Sequence, residues 1–445
     1  MALFIHWFKK NKFIVSLLFL SFFLYSIWAI IVPFNAAPDE FQRYDVANFI
    51  FRYHELPIPG DERLIYGDYG YTYATNPYLP YIFGAGLMFL FNDLFDIGNL
   101  YLVHRIISIL SGVISVYLVY RICTELNLEK KLVYFTSAIF AFIPGYSFIN
   151  AYVNQDSFSI AVNLSIIYLW VLGRKKGWSS KYYIFIGIGL SFCLLTYLNG
   201  YIIIPVTAIL LLVDFFVMSK KGFIKKLFFL VIPILVLSGW WFVRSYILYN
   251  GDFIGFNYSK ELSERLAIPE LKPSNRLTME KQGIGIFEML FTYNWLGITY
   301  KSFWGIFGYM DKPYSDKVYT VISVVQIAAF IGLISLFVNS IRGKLLNFKE
   351  IMKYLHNKAV YIAILSLIPL AFGLSIYYSY FSDFQAQGRY VYPALFPIVL
   401  FSCIGFSKFI SPKLSGITYL VVGTLMLGLN IFALMKIIVP SYYQL

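Results

Sequence analysis

The sequence predicts an all-α polytopic membrane protein, a bundle of about eleven transmembrane helices with juxtamembrane helices in the first external loop. Three observations carry this. Only 13% of the 445 residues are charged, about half the roughly 25% of soluble domains. Residues are 59% hydrophobic and gather in long uncharged runs, and a span needs about 20 such residues. Lys and Arg cluster in short segments between alternate runs. A soluble globule, a disordered chain and a disulfide-built scaffold are excluded. The three cysteines, Cys123, Cys193 and Cys403, lie inside apolar stretches and read as small core residues. The net charge of +13 reflects cytoplasmic loops, so no nucleic-acid partner is expected.

The spans fall near 13–33, 103–121, 132–150, 154–172, 182–199, 201–218, 226–248, 318–340, 359–379, 390–408 and 415–437. The first follows the basic stretch His6–Lys10 and has no small-residue cleavage site, so it reads as a retained anchor. The apolar stretch 77–92 is short and carries Pro77, Pro80, Gly84 and Gly86. If it crossed, every later loop would change side. With a cytoplasmic N-terminus and no crossing there, 21 of the 36 Lys and Arg residues fall in short cytoplasmic loops. These include Lys9, Lys10, Lys130, Lys131, Lys220, Lys221, Arg342, Lys344, Lys349 and Lys353. Segment 77–92 is therefore expected to lie along, or dip into, the outer leaflet. His356 falls on the cytoplasmic side.

Two external segments are long, 34–102 and 249–317, and hold seventeen of the 23 acidic residues. Long polar loops on a rigid helical scaffold are where chemistry is placed. The first begins Phe34-Asn35-Ala36-Ala37-Pro38-Asp39-Glu40-Phe41-Gln42-Arg43. Pro38 suits the first position of a helix, with Asp39 and Glu40 in its first turn. The two acids either cap the helix dipole or act as catalytic carboxylates just beyond the membrane surface. Arg105, Arg244 and Arg389 sit at outer ends of spans. Ionisable groups at such depth tend to be functional, although long side chains also snorkel to headgroups. Asp156 either orients a substrate or caps the helix after Asn154. Tyr66, Tyr69, Tyr71 and Tyr73 cluster beside Gly67 and Gly70. They form either a sugar-stacking groove or an interfacial aromatic belt. His54 and His104 lie on the outer side, and no His/Cys/Glu spacing reads as a metal site.

Pro38-Asp39-Glu40 with Arg43 and Ala47, after one anchoring helix, resembles the opening of the bacterial GT-C glycosyltransferases. These are the polytopic enzymes that include the protein mannosyltransferases and the lipid A aminoarabinose transferase. Further pieces follow in order. They are Asn76–Tyr81, His104–Ser108, Pro144 with Val153–Ser157, Gly239–Ser245, Ser302–Gly305 with Phe307–Asp311, and Gln387–Pro393. The resemblance covers nearly the whole chain, as a single domain over 1–445 with a GT-C-like bundle.

The resemblance implies transfer of a sugar from a polyprenyl-phosphate donor to an acceptor glycan, such as O-antigen or teichoic acid. Transfer would take place on the outer face of the cytoplasmic membrane, with inversion. No large soluble domain follows the last span, unlike the lipid A and protein-mannosyl enzymes, so a glycan is expected in place of a protein acceptor. A carboxylate removes the acceptor proton. The leaving lipid phosphate needs fixed cations, and the planar fork of Arg suits it. Asp39 is the expected base, with Glu40 second. Arg389, Arg244 and Arg105 are the expected donor-phosphate ligands. Asp156, Tyr69 and Tyr71 are the expected acceptor contacts. No cofactor or metal is expected. A flippase for a lipid-linked sugar and a surface-polysaccharide polymerase remain as alternatives.

Overall fold

A computed structural model describes residues 11–94, 97–218, 222–341 and 354–443. The basic stretch His6–Lys10, and Lys220, Lys221, Arg342, Lys344, Lys349 and Lys353, lie outside the described residues.

The described residues are predominantly helical. Its elements are α1 (Lys12–Ile31), α2 (Glu40–Tyr53), α3 (Leu79–Phe91), α4 (Leu100–Glu125), α5 (Lys130–Phe142), α6 (Pro144–Ile149), α7 (Asp156–Lys176), α8 (Ser180–Leu194) and α9 (Ile203–Met218). There follow α10 (Phe223–Leu248), α11 (Phe256–Leu266), α12 (Ile286–Phe291), α13 (Trp295–Gly305), α14 (Asp316–Ile341), α15 (Ala359–Phe381), α16 (Leu395–Ser407), α17 (Ser415–Ala433) and α18 (Val439–Tyr442). A small antiparallel pair, β1 (Ile306–Phe307) and β2 (Lys312–Pro313), joins α13 to α14 with Ile306 opposite Pro313.

Among the described residues, nine helical stretches are long and apolar enough to cross a membrane. They match nine of the expected spans. The expected span 132–150 is a helix broken ahead of Pro144 into α5 and α6. Proline has no N–H to give and its ring clashes with the preceding turn. The expected span 182–199 becomes the 15-residue α8, because the chain turns through Leu195–Asn199 into a 3₁₀ segment, Leu198–Ile202. Segment 77–92 forms the 13-residue α3. At 1.5 Å per residue it is about 20 Å long, short of the roughly 30 Å hydrocarbon core.

Burial sorts the helices. The core is made by α1, α4, α5, α6 and α7, with Tyr25, Trp28, Phe140, Tyr146 and Trp170 fully buried. A polar lock ties it together. Trp28 Nε1 donates to Asn430 Oδ1 at 2.8 Å, and Asn430 Nδ2 donates to Phe142 O and Ser147 Oγ. Polar side chains bridge helices in this way where lipid supplies no partner. By contrast, α10 and α14 are apolar nearly all round and expose Leu235, Val236, Val324 and Phe330, as lipid-facing helices do. Close approach of α14 to α16 needs glycine, because a Cβ on Gly405 would sit 1.9 Å from Ala329 O.

The two long loops fold onto each other at one end of the bundle. Tyr258 OH donates to Pro59 O at 2.8 Å and Ile268 N to Asp68 O at 3.0 Å. Gly70, at φ +61°, lets the first loop lie directly on Ala267.

Candidate active site

Under the interlocked loops lies a cavity of about 990 Å³, open to one side. Asp39, Gln42, Arg43, Gln155, Arg389 and Tyr390 form one part of its wall. The second loop and the end of α15 form another, with Lys260, Arg276, Lys281, Tyr378 and Asp383.

Asp39 is not in the first helical turn, contrary to the sequence reading. The helix begins at Glu40, and Asp39 is the residue before it, in a left-handed conformation at φ 63°. Asp tolerates this region better than most residues do, because its short side chain bonds locally. The consequence is directional. Asp39 makes no cap hydrogen bond to α2. Its Oδ2 instead accepts from Arg389 Nη2 at 3.0 Å and from Arg43 Nη2 at 3.4 Å. The side chain is about a third exposed, at 35%, and lines the cavity. Partial burial pushes its carboxyl pKa up, but the guanidinium groups of Arg389 and Arg43 outweigh that and hold it below the ordinary carboxylate range.

Arg43 sits one turn along α2 from Asp39 and is buried. Its Nη1 reaches Asp156 Oδ2 at 3.4 Å, its Nη2 donates to Tyr73 OH at 3.3 Å, and its plane lies 4.9 Å from the Tyr73 ring centre. Asp156 is the first residue of α7 and is itself buried. The cap of α7 is supplied by Asn154, whose Oδ1 accepts from Ser157 N at 2.9 Å. Asp156 is thereby left to pair with Arg43.

Arg389 is set by a close contact. The 3₁₀ segment Gly388–Ala394 leads into α16, and Gly388 N donates to Ser302 Oγ on α13. A Cβ on Gly388 would fall 2.2 Å from Phe303 N, so only glycine brings this backbone against α13. Arg389 then lies beside Tyr390, whose hydroxyl accepts from Nη2 at 3.1 Å and itself donates to Gln385 Oε1. Nε and Nη1 of Arg389 are buried with no hydrogen-bond partner among the described residues. Such atoms are costly unless a ligand or water meets them.

The other expected site residues divide. Tyr69 and Tyr71 line the cavity, and Tyr71 OH accepts from Asn76 Nδ2. Glu40 and Arg105 are paired with each other instead of facing the cavity. Arg105 Nε and Nη2 reach Glu40 Oε1 and Oε2 at 2.8 and 2.7 Å, with neither side chain more than 1% exposed. Arg105 also donates to the carbonyls of Ala29, Val32 and Pro33, closing the end of α1. Arg244 lies apart from Arg389. Its Nη2 donates to Pro57 O at 2.8 Å, tying the first loop to α10. Among the described residues no group of three His, Cys, Asp or Glu side chains could hold a metal ion.

The sequence reading assigned no role to Arg43, although its i+4 spacing from Asp39 is a signal that was present. Tyr390 and Gln385 adjoin Arg389 in sequence. Nothing in the sequence marks Lys260, Arg276 or Asp383.

The fold and this wall define a polytopic helical membrane protein with an acid–guanidinium cluster in a loop-covered cavity. Residues 80–241 match the family described as dolichyl-phosphate-mannose-protein mannosyltransferase. No curated protein matches by sequence. Among solved structures, the archaeal oligosaccharyltransferase AglB from Archaeoglobus fulgidus, in complex with an inhibitory peptide and a dolichol-phosphate, is similar over 95% of this chain. The TM-score is 0.52 and the identity 15%. A second structure of the Archaeoglobus fulgidus oligosaccharyltransferase, in complex with Zn and sulfate, is similar over 93%, with a TM-score of 0.50 and 15% identity. This chain spans 56% and 52% of those two chains. ArnT from Cupriavidus metallidurans, bound to undecaprenyl phosphate, matches 89% of this chain and 78% of its own, at 14% identity and a TM-score of 0.43. The fold is GT-C-like, and the resemblance to the GT-C superfamily drawn from the sequence holds in the family match and in the fold.

Proposed function

We propose that this protein transfers a sugar from a polyprenyl-phosphate carrier to a hydroxyl of a surface glycan, with inversion at the sugar. The observation that carries the reading is the contact of Asp39 with Arg389 in the cavity wall, with Nε and Nη1 of Arg389 unpaired. Arg389 thus carries donors that no protein group among the described residues takes, while its Nη2 holds the carboxylate in place. The family match over 80–241, and the dolichol-phosphate in the archaeal structure of the same fold, support a lipid-phosphate donor.

In this reading Asp39 Oδ takes the proton of the acceptor hydroxyl as that oxygen attacks C1 of the sugar. The C1–O bond to the phosphate breaks, and the bonding pair leaves with the lipid phosphate, whose charge is met by Arg389. No general acid is needed, since a phosphate leaves readily as its anion. Arg43 contacts the same Oδ2 of Asp39 and is itself held by Asp156 and Tyr73. Arg43 is a positioning residue. Tyr69 and Tyr71 offer ring faces to the acceptor. Residues 1–445 act as one membrane domain, with a cytoplasmic N-terminus and segments 34–102 and 249–317 on the outer face of the cytoplasmic membrane.

The test is incubation of the purified protein with a radiolabelled polyprenyl-phosphate sugar and a glycan acceptor. Release of free polyprenyl phosphate with label on the glycan is expected. Movement of label across a vesicle membrane without cleavage would give the function to a flippase. Glycan lengthening by whole repeat units would give it to a polymerase. Cysteines introduced at Gly60 and Lys272 should label from outside intact cells, and protection of both overturns the orientation.

A further inference from the structure

The two long loops carry seventeen acidic and eleven basic residues. The cavity they roof inverts that balance. Among the described residues its wall holds five cations, Arg43, Lys260, Arg276, Lys281 and Arg389, against two carboxylates, Asp39 and Asp383. Of the loop charges, four bases, Arg43, Lys260, Arg276 and Lys281, line the cavity against one acid, Asp39. Arg43 and Arg389 are engaged at Asp39. The other three cations come from one segment of the second loop, and none forms an ion pair within 4.0 Å among the described residues.

Two of the three are held by neutral groups. Lys281 Nζ donates to the carbonyls of Pro273, Ser274 and Arg276 at 3.2, 3.3 and 3.2 Å, which fixes its charge in place. Arg276 lies over the Tyr69 ring at 4.7 Å and donates to Leu271 O, while its Nε is buried with no partner. Lys260 projects from α11 and is exposed. Its neighbour Glu264 is held by Ser274, through N at 2.9 Å and Oγ at 2.5 Å, and these bonds, with the charges of Lys272 and Lys260, keep its carboxyl below the ordinary range. Asp383 accepts from Gln385 Nε2 at 3.0 Å. Cations clustered on one cavity wall, outnumbering the carboxylates beside them, attract an anion.

Resting on the glycosyl-transfer reading of this cavity, we infer that Lys260, Arg276 and Lys281 form an anion subsite for the acceptor. The acceptor is an acidic glycan, bearing carboxylate or phosphodiester groups along its chain. Arg389 takes the donor phosphate at the Asp39 side, so the second-loop cations are free for charges on the acceptor. Tyr69, packed against Arg276, gives the adjoining sugar a ring face.

The test is binding to the full chain in detergent, without donor and without turnover. The probes are an oligogalacturonate, an oligomer of glycerol phosphate, and a neutral maltooligosaccharide of equal length. At least one anionic probe should bind about tenfold more tightly than the neutral one. Lys260→Gln with Arg276→Gln should abolish that preference. Lys272→Gln, the same charge change in the same loop but off the cavity, should preserve it. Should the double variant fail to fold, Lys260→Glu alone decides, since that side chain is exposed. Equal binding of all probes, or a preference untouched by these variants, overturns the inference. So does displacement of the anionic probes by phosphatidylglycerol in nanodiscs, which would give the subsite to a lipid headgroup. Absence of sugar transfer by the wild-type protein alongside intact anion preference would count against the transferase reading only.

Discussion

Asp39 and Glu40 are neighbours in the chain, and the fold treats them in opposite ways. Both oxygens of Glu40 are saturated by Arg105 Nε and Nη2, Asn35 N and Val153 N, at 2.7 to 3.0 Å. The cluster is sealed, and its guanidinium partner also closes the end of α1. Asp39 uses one oxygen for two guanidinium contacts, keeps a third of its surface open, and faces a cavity where Arg389 has two nitrogens unmet. A saturated buried pair holds a fold together. An open, under-satisfied cluster is held ready for a ligand. The difference arises from one backbone feature, since the left-handed Asp39 directs its side chain away from that of Glu40 at the start of α2.

The contrast breaks most visibly under matched substitutions. Asp39→Asn should lower turnover by about 10²–10⁴ while leaving the thermal midpoint within a few degrees of wild type, as read by transfer assay and thermal unfolding. Full activity in Asp39→Asn, with Glu40→Gln inactive but folded, would reverse the roles given to the two acids. Arg105→Ala strands the buried carboxylate of Glu40 and should cost about 3–5 kcal/mol of stability. Its signature is lost yield and a lowered unfolding midpoint, with turnover per folded molecule unchanged. Arg389→Lys keeps the charge but loses the planar fork, so donor use should fall about tenfold with little change in the unfolding midpoint. An unchanged apparent donor affinity in Arg389→Ala would remove Arg389 from the phosphate site.

The smallest effect expected is in pH dependence. The folded pKa of Asp39 is lowered, so the stability contributed by its ion pairs is present above the unfolded pKa and is lost as pH falls through the folded value. Activity that needs ionised Asp39 should therefore hold through the ordinary carboxylate range and decline only below it. Removing one of the two lowering charges by Arg43→Gln should move that acid limb upward, toward the ordinary carboxylate value. An acid limb that stays in place would show that Asp39 is not the titrating base.

The sequence alone determined the class of the molecule and nine of its eleven expected spans. Runs of about twenty apolar residues have no stable place except a bilayer, and nine of them appear as long helices among the described residues. The break of the expected span 132–150 ahead of Pro144 was not read from the sequence, although a proline starts a new helix more readily than it continues one. The family resemblance also marked Asp39, Arg43 and Arg389 within short motifs. What spacing could not show was partnership. Glu40 and Arg105 are 65 positions apart, Arg43 and Asp156 are 113, and Asp39 and Arg389 are 350. Each pair depends on how helices pack, and ion pairing acts through space without regard to chain order. The tertiary structure likewise decided which loop charges face the cavity. Lys260 and Arg276 look like any solvated cations in the sequence, and only the docking of one loop on the other turns them to the same wall as Asp39.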